Sequence, residues 1–181
     1  MSDHYEQTRA QLRSKIRSIP DFPQPGILFR DITPVLADPV AFEQAVDLHL
    51  HQIRDLFGKL DVIVGMESRG FLFGPILAHR LELGFVPARK PGKLPAETVE
   101  ENYSLEYGVN TLQLHADAFG HGARVLIVDD LLATGGTAAA AARLVERLGG
   151  QVVACLFLIE LTALAGREPL APYRVESLLE F

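Results

Sequence analysis

The stretch Arg124 to Gly150, RVLIVDDLLATGGTAAAAARLVERLGG, constrains the fold more than any other part of this 181-residue chain. The apolar run VLIV ends in two adjacent acids, Asp129 and Asp130, and a loop of small residues with paired glycines follows. An alanine-rich helix and a second apolar run, Val152–Ile159, come next. Strand, glycine loop, helix and strand in that order make a βαβ unit. Glycine lets the backbone come close to a ligand, and a helix N-terminus adds dipole charge that favours an anion. Ala133, Thr134, Gly135, Gly136 and Thr137 can therefore wrap a phosphate, with two threonine hydroxyls among them. The two carboxylates can accept hydrogen bonds from the vicinal hydroxyls of a ribose, directly or through a divalent cation. A sugar carrying phosphate suits both halves of the segment. The plainer alternative is a tight turn whose acids cap the helix. Other phosphate motifs are missing, since the chain has no GxxxxGK[ST] and no GxGxxG after a strand.

The remaining sequence reads as further alternation of strand and helix. Residues 3–18 suggest a helix with Leu12, Ile16 and Ile19 along one side, and the proline-rich IPDFPQPGILFRDITP after it cannot be regular helix. Asp38-Pro39 is an N-cap and first helical residue, and Phe42, Val46, Leu50, Ile53 and Phe57 recur at helical spacing up to Gly58. Residues 62–65, 85–88 and 111–115 read as strands, and residues 71–83 as a helix with Pro75 in its first turns. Residues 89–108 carry several charges, two prolines and no convincing period, which suggests a functional lid loop. The order predicts a single α/β domain over residues 1–181 with a mostly parallel central sheet flanked by helices. Ligands on such sheets gather at the carboxyl ends of the strands, which brings Met66, Arg89 and Asp129 together.

A net charge of −6 argues against a nucleic-acid coat, so any phosphate site must be locally basic on an acidic body. The single cysteine, Cys155, sits inside an apolar run and reads as buried filler. No apolar stretch approaches the ~18 residues of a membrane span, and the polar N-terminus lacks a signal core, so the cytoplasm is the expected compartment. None of the six histidines forms a pair with support for zinc.

VLIVDDLLATGGT resembles the phosphoribosyl-pyrophosphate (PRPP) signature of the type I phosphoribosyltransferases. With FPQPGILFRDITPVL, GMESRGFLFGP, RKPGKLP and NYSLEYG, the likeness extends to the adenine phosphoribosyltransferases and spans most of residues 19–170. The resemblance implies a type I phosphoribosyltransferase fold, with a small N-terminal hood near residues 19–36 and a long flexible lid near 89–108. It implies transfer of a phosphoribosyl group from PRPP to adenine, giving AMP and pyrophosphate. It also implies a homodimer that uses Mg²⁺, bound mainly through substrate and water, with no nucleic-acid or membrane partner.

By the same resemblance, Glu67, Ser68, Arg69 and Gly70 form a pyrophosphate loop, a role that suits a guanidinium beside a free backbone N–H. The plain alternative for Arg69 is a surface pair with Glu67. Arg89, Lys90 and Lys93 place three cations within five residues, at the start of the lid. Glu106 is expected to manage the imidazole proton of adenine as general acid or base, and Tyr107 to help close the lid over pyrophosphate. Leu28, Phe29 and Arg30 read the base through their main chain, and Leu131 and Leu161 wall its faces, although all four apolar side chains also suit a core. Two other readings of the chain stand beside this one. One is a phosphoribosyltransferase for hypoxanthine, guanine, xanthine or orotate. The other is a non-catalytic PRPP-sensing regulator, which an acidic chain without an appended basic module disfavours.

Overall fold

The computed structural model describes residues 2–104 and 109–181. The chain divides into two compact units, residues 1–52 and 53–181.

The first unit begins with α1 (Ser2–Lys15), which buries Leu12 fully. The expected helix stops short of Ile19, because β1 (Arg17–Pro20) pairs antiparallel with β2 (Leu28–Asp31), and Ile19 lies opposite Phe29 in that register. The proline-rich link between the strands is thus a hairpin connection. Asp31 is buried and accepts hydrogen bonds from Thr33 N (2.9 Å) and Arg17 Nε (2.9 Å). It thereby ties the hairpin to a short helix, α2 (Thr33–Ala37), which leads to α3 (Pro39–Gln52). The Asp38 carboxylate accepts from Val40 N at 2.9 Å and Ala41 N at 3.2 Å, the cap expected there. The buried face of α3 is Ala41, Ala45, Val46, Leu48 and His49, shifted from the expected stripe. Phe57 lies beyond the helix and is 49% exposed. His49 spends its Nδ1 on Ala45 O, an i−4 carbonyl of its own helix.

The second unit is built on a five-stranded parallel sheet. Its strands are β3 (Val62–Met66), β4 (Gly84–Ala88), β7 (Arg124–Leu132), β8 (Gln151–Glu160) and β9 (Val175–Glu180), in the order β4-β3-β7-β8-β9. Every neighbouring pair is parallel. The sheet crosses over between β3 and β7, where the chain switches direction of travel, and a parallel sheet opens its ligand cleft at such a point. The helix α4 (Gly70–Arg80) follows β3 and packs on β3, β4 and β7.

The sequence suggests a loop over residues 89–108, and the structure places a strand, residues 98–104, within it. Arg89 exchanges backbone hydrogen bonds with Gln113 (2.9 and 2.7 Å). The chain then turns and enters β5 (Thr98–Ser104), which pairs antiparallel with β6 (Val109–His115). The alternation of β5 is hidden in the sequence by Glu100, Glu101 and Asn102. Its apolar residues, Val99 and Tyr103, are too sparse to register as a period.

The helix α5 (Gly136–Arg147) lies between this hairpin and the sheet. Ala138 to Ala142 are all buried, which a helix contacting protein on one side could not achieve over five consecutive residues. They share one core with Val64, Ile127, Cys155 and Phe157 of the sheet and with Tyr103, Leu112 and Leu114 of the hairpin. Methyl-sized side chains let both layers approach the helix closely. Cys155 is inert filler there, and burial pushes its thiol up to about 12. Among the described residues, no helix is long and apolar enough to cross a membrane.

Candidate active site at the carboxyl end of β7

The strand β7 runs on to Leu132, so Asp129 and Asp130 are strand residues rather than residues after a strand. Alternation then turns their side chains to opposite faces. Asp129 lines a cavity of about 60 Å³ together with Met66, Leu131, Phe157 and the loop residues 132–138. Asp130, 2% exposed, instead meets Arg69, whose Nε lies 3.0 Å from its Oδ2. Burial pushes the Asp129 carboxyl well above the usual carboxylate range, and the charge of Asp130 adds to the effect. Burial also raises Asp130, but the Arg69 guanidinium pulls it back. The pair thus resists holding two negative charges until a cation or a hydroxyl donor arrives.

The loop after β7 has the geometry of an anion cradle. Gly135 is the N-cap of α5 with φ +78°, and no side chain caps the helix. The alternative that the acids serve as helix caps is therefore excluded. The earliest α5 residue to donate to a backbone carbonyl is Ala139, which bonds Gly135 O at 2.9 Å. The N–H groups of the turn before it are the orphan donors of a helix start, and all of those residues line the cavity. Ala133, Thr134, Gly135, Gly136 and Thr137 are thus brought together as the sequence predicts.

At the end of β3, residues 67–70, the loop expected from the sequence to take pyrophosphate, form a second cluster. The Glu67–Ser68 peptide is cis. Glu67 does not pair with Arg69. Its carboxylate accepts from Lys93 Nζ at 2.6 Å, Lys90 N at 3.1 Å and Arg89 Nε at 3.2 Å. Burial opposes ionisation of this nearly buried group, but Lys93, Lys90 and Arg89 outweigh it and bring the carboxyl down to about 2. Glu67 therefore gathers the cations that follow β4, and Arg69 is held by Asp130 instead. Gly70 opens α4 where a Cβ would lie 2.6 Å from Val128 O, which brings this loop against β7. Ser68 is exposed beside it.

Leu131 lines the cavity, and Leu161 is half-buried, with its N–H donating to Leu132 O at 2.9 Å. Leu28, Phe29 and Arg30 belong to the first unit, on β2. Leu28 is 47% exposed, the Phe29 ring packs edge-on to Phe22 with centroids 5.1 Å apart, and Arg30 Nη1 donates to Ser18 Oγ. Glu106 and Tyr107 lie outside the described residues. Phe157 lines the cavity and Gly166 packs behind its loop, yet neither stands out in the sequence. The first reads as an ordinary core phenylalanine, and the second is one glycine in a polar turn.

Residues 36–178 match the phosphoribosyl transferase domain family. An adenine phosphoribosyltransferase of Solibacter usitatus is 58% identical over 170 residues, covering 94% of this chain and 97% of that protein. The chain belongs to the adenine phosphoribosyltransferase family. One from Methylococcus capsulatus is 57% identical, covering 94% of this chain and 99% of that protein. Among solved structures, the adenine phosphoribosyltransferase of Thermoanaerobacter pseudethanolicus superposes with a TM-score of 0.91 at 54% identity, covering 96% of this chain and 99% of that one. The Saccharomyces cerevisiae adenine phosphoribosyltransferase, solved with an imino-altritol bisphosphate and adenine, gives 0.91 at 42% identity over 96% and 99% of the two chains.

Proposed function

We infer that this protein transfers the phosphoribosyl group from PRPP to adenine, giving AMP and pyrophosphate. The observation that carries the reading is the near-full-length likeness to adenine phosphoribosyltransferases, at identities of 57–58%. The geometry supports the reading at the sugar-phosphate and pyrophosphate ends of the donor. The difficult step is cleavage of the bond from C1′ to pyrophosphate, with positive charge growing on the ribose and negative charge on the leaving group. The N–H groups and hydroxyls of residues 133–137 hold the 5′-phosphate. Asp129, at the cavity, accepts hydrogen bonds from the ribose hydroxyls, and Asp130 holds Arg69. Arg69, Arg89, Lys90 and Lys93 receive the charge that builds up on pyrophosphate, and Glu67 keeps two of those cations in place beforehand.

Two adjacent carboxylates with raised protonation fit a hard dication such as Mg²⁺, which would relieve their repulsion. The motif resemblance assigns such an ion mainly to substrate oxygens and water, and among the described residues no group of three or more His, Cys, Asp or Glu forms a metal cage. It would supply charge neutralisation at the pyrophosphate and ribose oxygens.

As the adenine nitrogen bonds to C1′, the proton on the imidazole ring has to leave, and Glu106 is the group assigned to take it. Leu28, Phe29 and Arg30 are assigned to the base edge, Leu131 and Leu161 to its faces, and Tyr107 to the closed lid. These assignments rest on the motif resemblance, as do a homodimeric state and a cytoplasmic setting. The test is pyrophosphate release from PRPP and Mg²⁺ across a panel of free bases. Adenine is expected to support turnover far above hypoxanthine, guanine, xanthine and orotate. Turnover with one of those bases and none with adenine overturns the substrate assignment.

A further inference from the structure

We propose that Arg167 and Glu160 form a clamp that positions the phosphate loop, so that Arg167 sets the affinity for PRPP without touching it. The proposal rests on the reading that residues 133–137 take the 5′-phosphate. The chain leaves β8 at Glu160 and passes through two short 3₁₀ turns, Thr162–Leu164 and Glu168–Leu170, before β9. That segment is seated behind the phosphate loop at contact distance. A Cβ on Gly166 would lie 2.2 Å from Ala133 O, and a Cβ on Gly135 would lie 2.2 Å from Gly166 O and 2.7 Å from Pro169 Cγ. Both glycines are buried, and only a residue without a side chain fits at either place.

The next residue, Arg167, ties this contact to the sheet. Its Nε donates to Glu160 Oε1 at 2.8 Å and to Oε2 at 3.0 Å, and its Nη2 donates to Oε2 at 2.7 Å. Its Nη1 donates to Val175 O at 3.0 Å and its Nη2 to Ser177 Oγ at 3.1 Å, so β8 and β9 are both engaged. Glu160 is 5% exposed and also accepts from Ser177 Oγ at 2.7 Å. A half-exposed guanidinium that satisfies a buried carboxylate in a fixed fork geometry is far more ordering than a surface pair. Without it, the segment that carries Gly166 is held at that end mainly by packing. The loop N–H groups would then have to be ordered anew each time a phosphate binds, and affinity bears that cost. Once phosphate is bound the loop is ordered, so the chemical step is spared.

The test compares Arg167→Met with Arg167→Lys and Ser177→Ala, and with Arg174→Met as a control. Arg174 makes a similar fork to Asp55 and Glu176 elsewhere in the same unit. Arg167→Met is expected to raise the KM for PRPP and the Kd for AMP about tenfold, a loss of about 1.4 kcal/mol, with kcat and the KM for adenine within about twofold. Arg167→Lys should recover part of the loss. Ser177→Ala should shift the same constants in the same direction by less, and it serves alone if Arg167→Met does not fold. Arg174→Met should lower the melting temperature and leave the KM for PRPP unchanged. An unchanged KM for PRPP in the Arg167 and Ser177 variants overturns the clamp, and so does an equal rise in the Arg174 variant. Wild-type protein that binds neither PRPP nor AMP overturns the phosphate-loop reading instead.

Discussion

The carboxyls of Asp129 and Asp130 are neighbours in the chain, yet alternation along β7 gives them different surroundings: the cavity for one, the Arg69 guanidinium for the other. Burial and mutual repulsion make the ionised form of Asp129 costly in the ligand-free fold. The sign follows from linkage. A group with a folded pKa above its unfolded one favours the fold fully at low pH, and that favour is lost as pH rises through the folded value. Asp129→Asn keeps an oxygen able to accept the Asp130 N–H, bonded at 2.9 Å, but cannot ionise. Its melting temperature relative to wild type should climb as pH rises from about 4 to 8, while kcat/KM for PRPP falls about 100-fold. Thermal scans across pH, with steady-state rates, check both halves. A deficit in melting temperature that is constant with pH would mean that Asp129 serves the fold and not the ligand.

At the level of elements, the layer order sheet, α5, hairpin explains how the hairpin is held. Glu101 on β5 takes Arg143 Nε at 2.7 Å and also pairs with Arg147, both on α5. Its side chain is 16% exposed, and the Arg143 contact is the main reason its carboxyl lies below the ordinary range. The helix whose first turn is proposed to cradle phosphate is therefore the helix that anchors β5. Glu101→Gln should loosen that anchor, and amide hydrogen exchange over residues 98–104 should quicken about tenfold with α5 itself unchanged. Exchange that stays at the wild-type rate in β5 would show that the apolar layer of Tyr103, Leu112 and Leu114 holds the hairpin unaided.

Across the whole molecule, the features legible in the sequence are those that local chemistry dictates. The βαβ unit around Asp129 carries its own start, stop and apolar signals, and so does the Asp38 cap of α3. The β5 arm of the hairpin is hidden because its inward face holds few apolar residues. The strand β9 is hidden because its short run comes after two 3₁₀ turns whose sequence carries no regular period. The partner of Arg69 is unreadable for a related reason: which carboxylate a cation meets depends on how β3 and β7 are placed side by side, and no spacing in the chain encodes that. Glu67, a near neighbour of Arg69 in sequence, passes it over and gathers Arg89 and Lys93 from the far side of α4 and β4. On the proposed reading, these features converge on one activated sugar phosphate at the carboxyl end of β7. Calorimetric titration of the protein with PRPP in the presence of Mg²⁺ measures that directly. A saturable uptake of one PRPP per chain, lost in Asp129→Asn, is the predicted result, and no detectable heat of binding to the wild-type protein would contradict it.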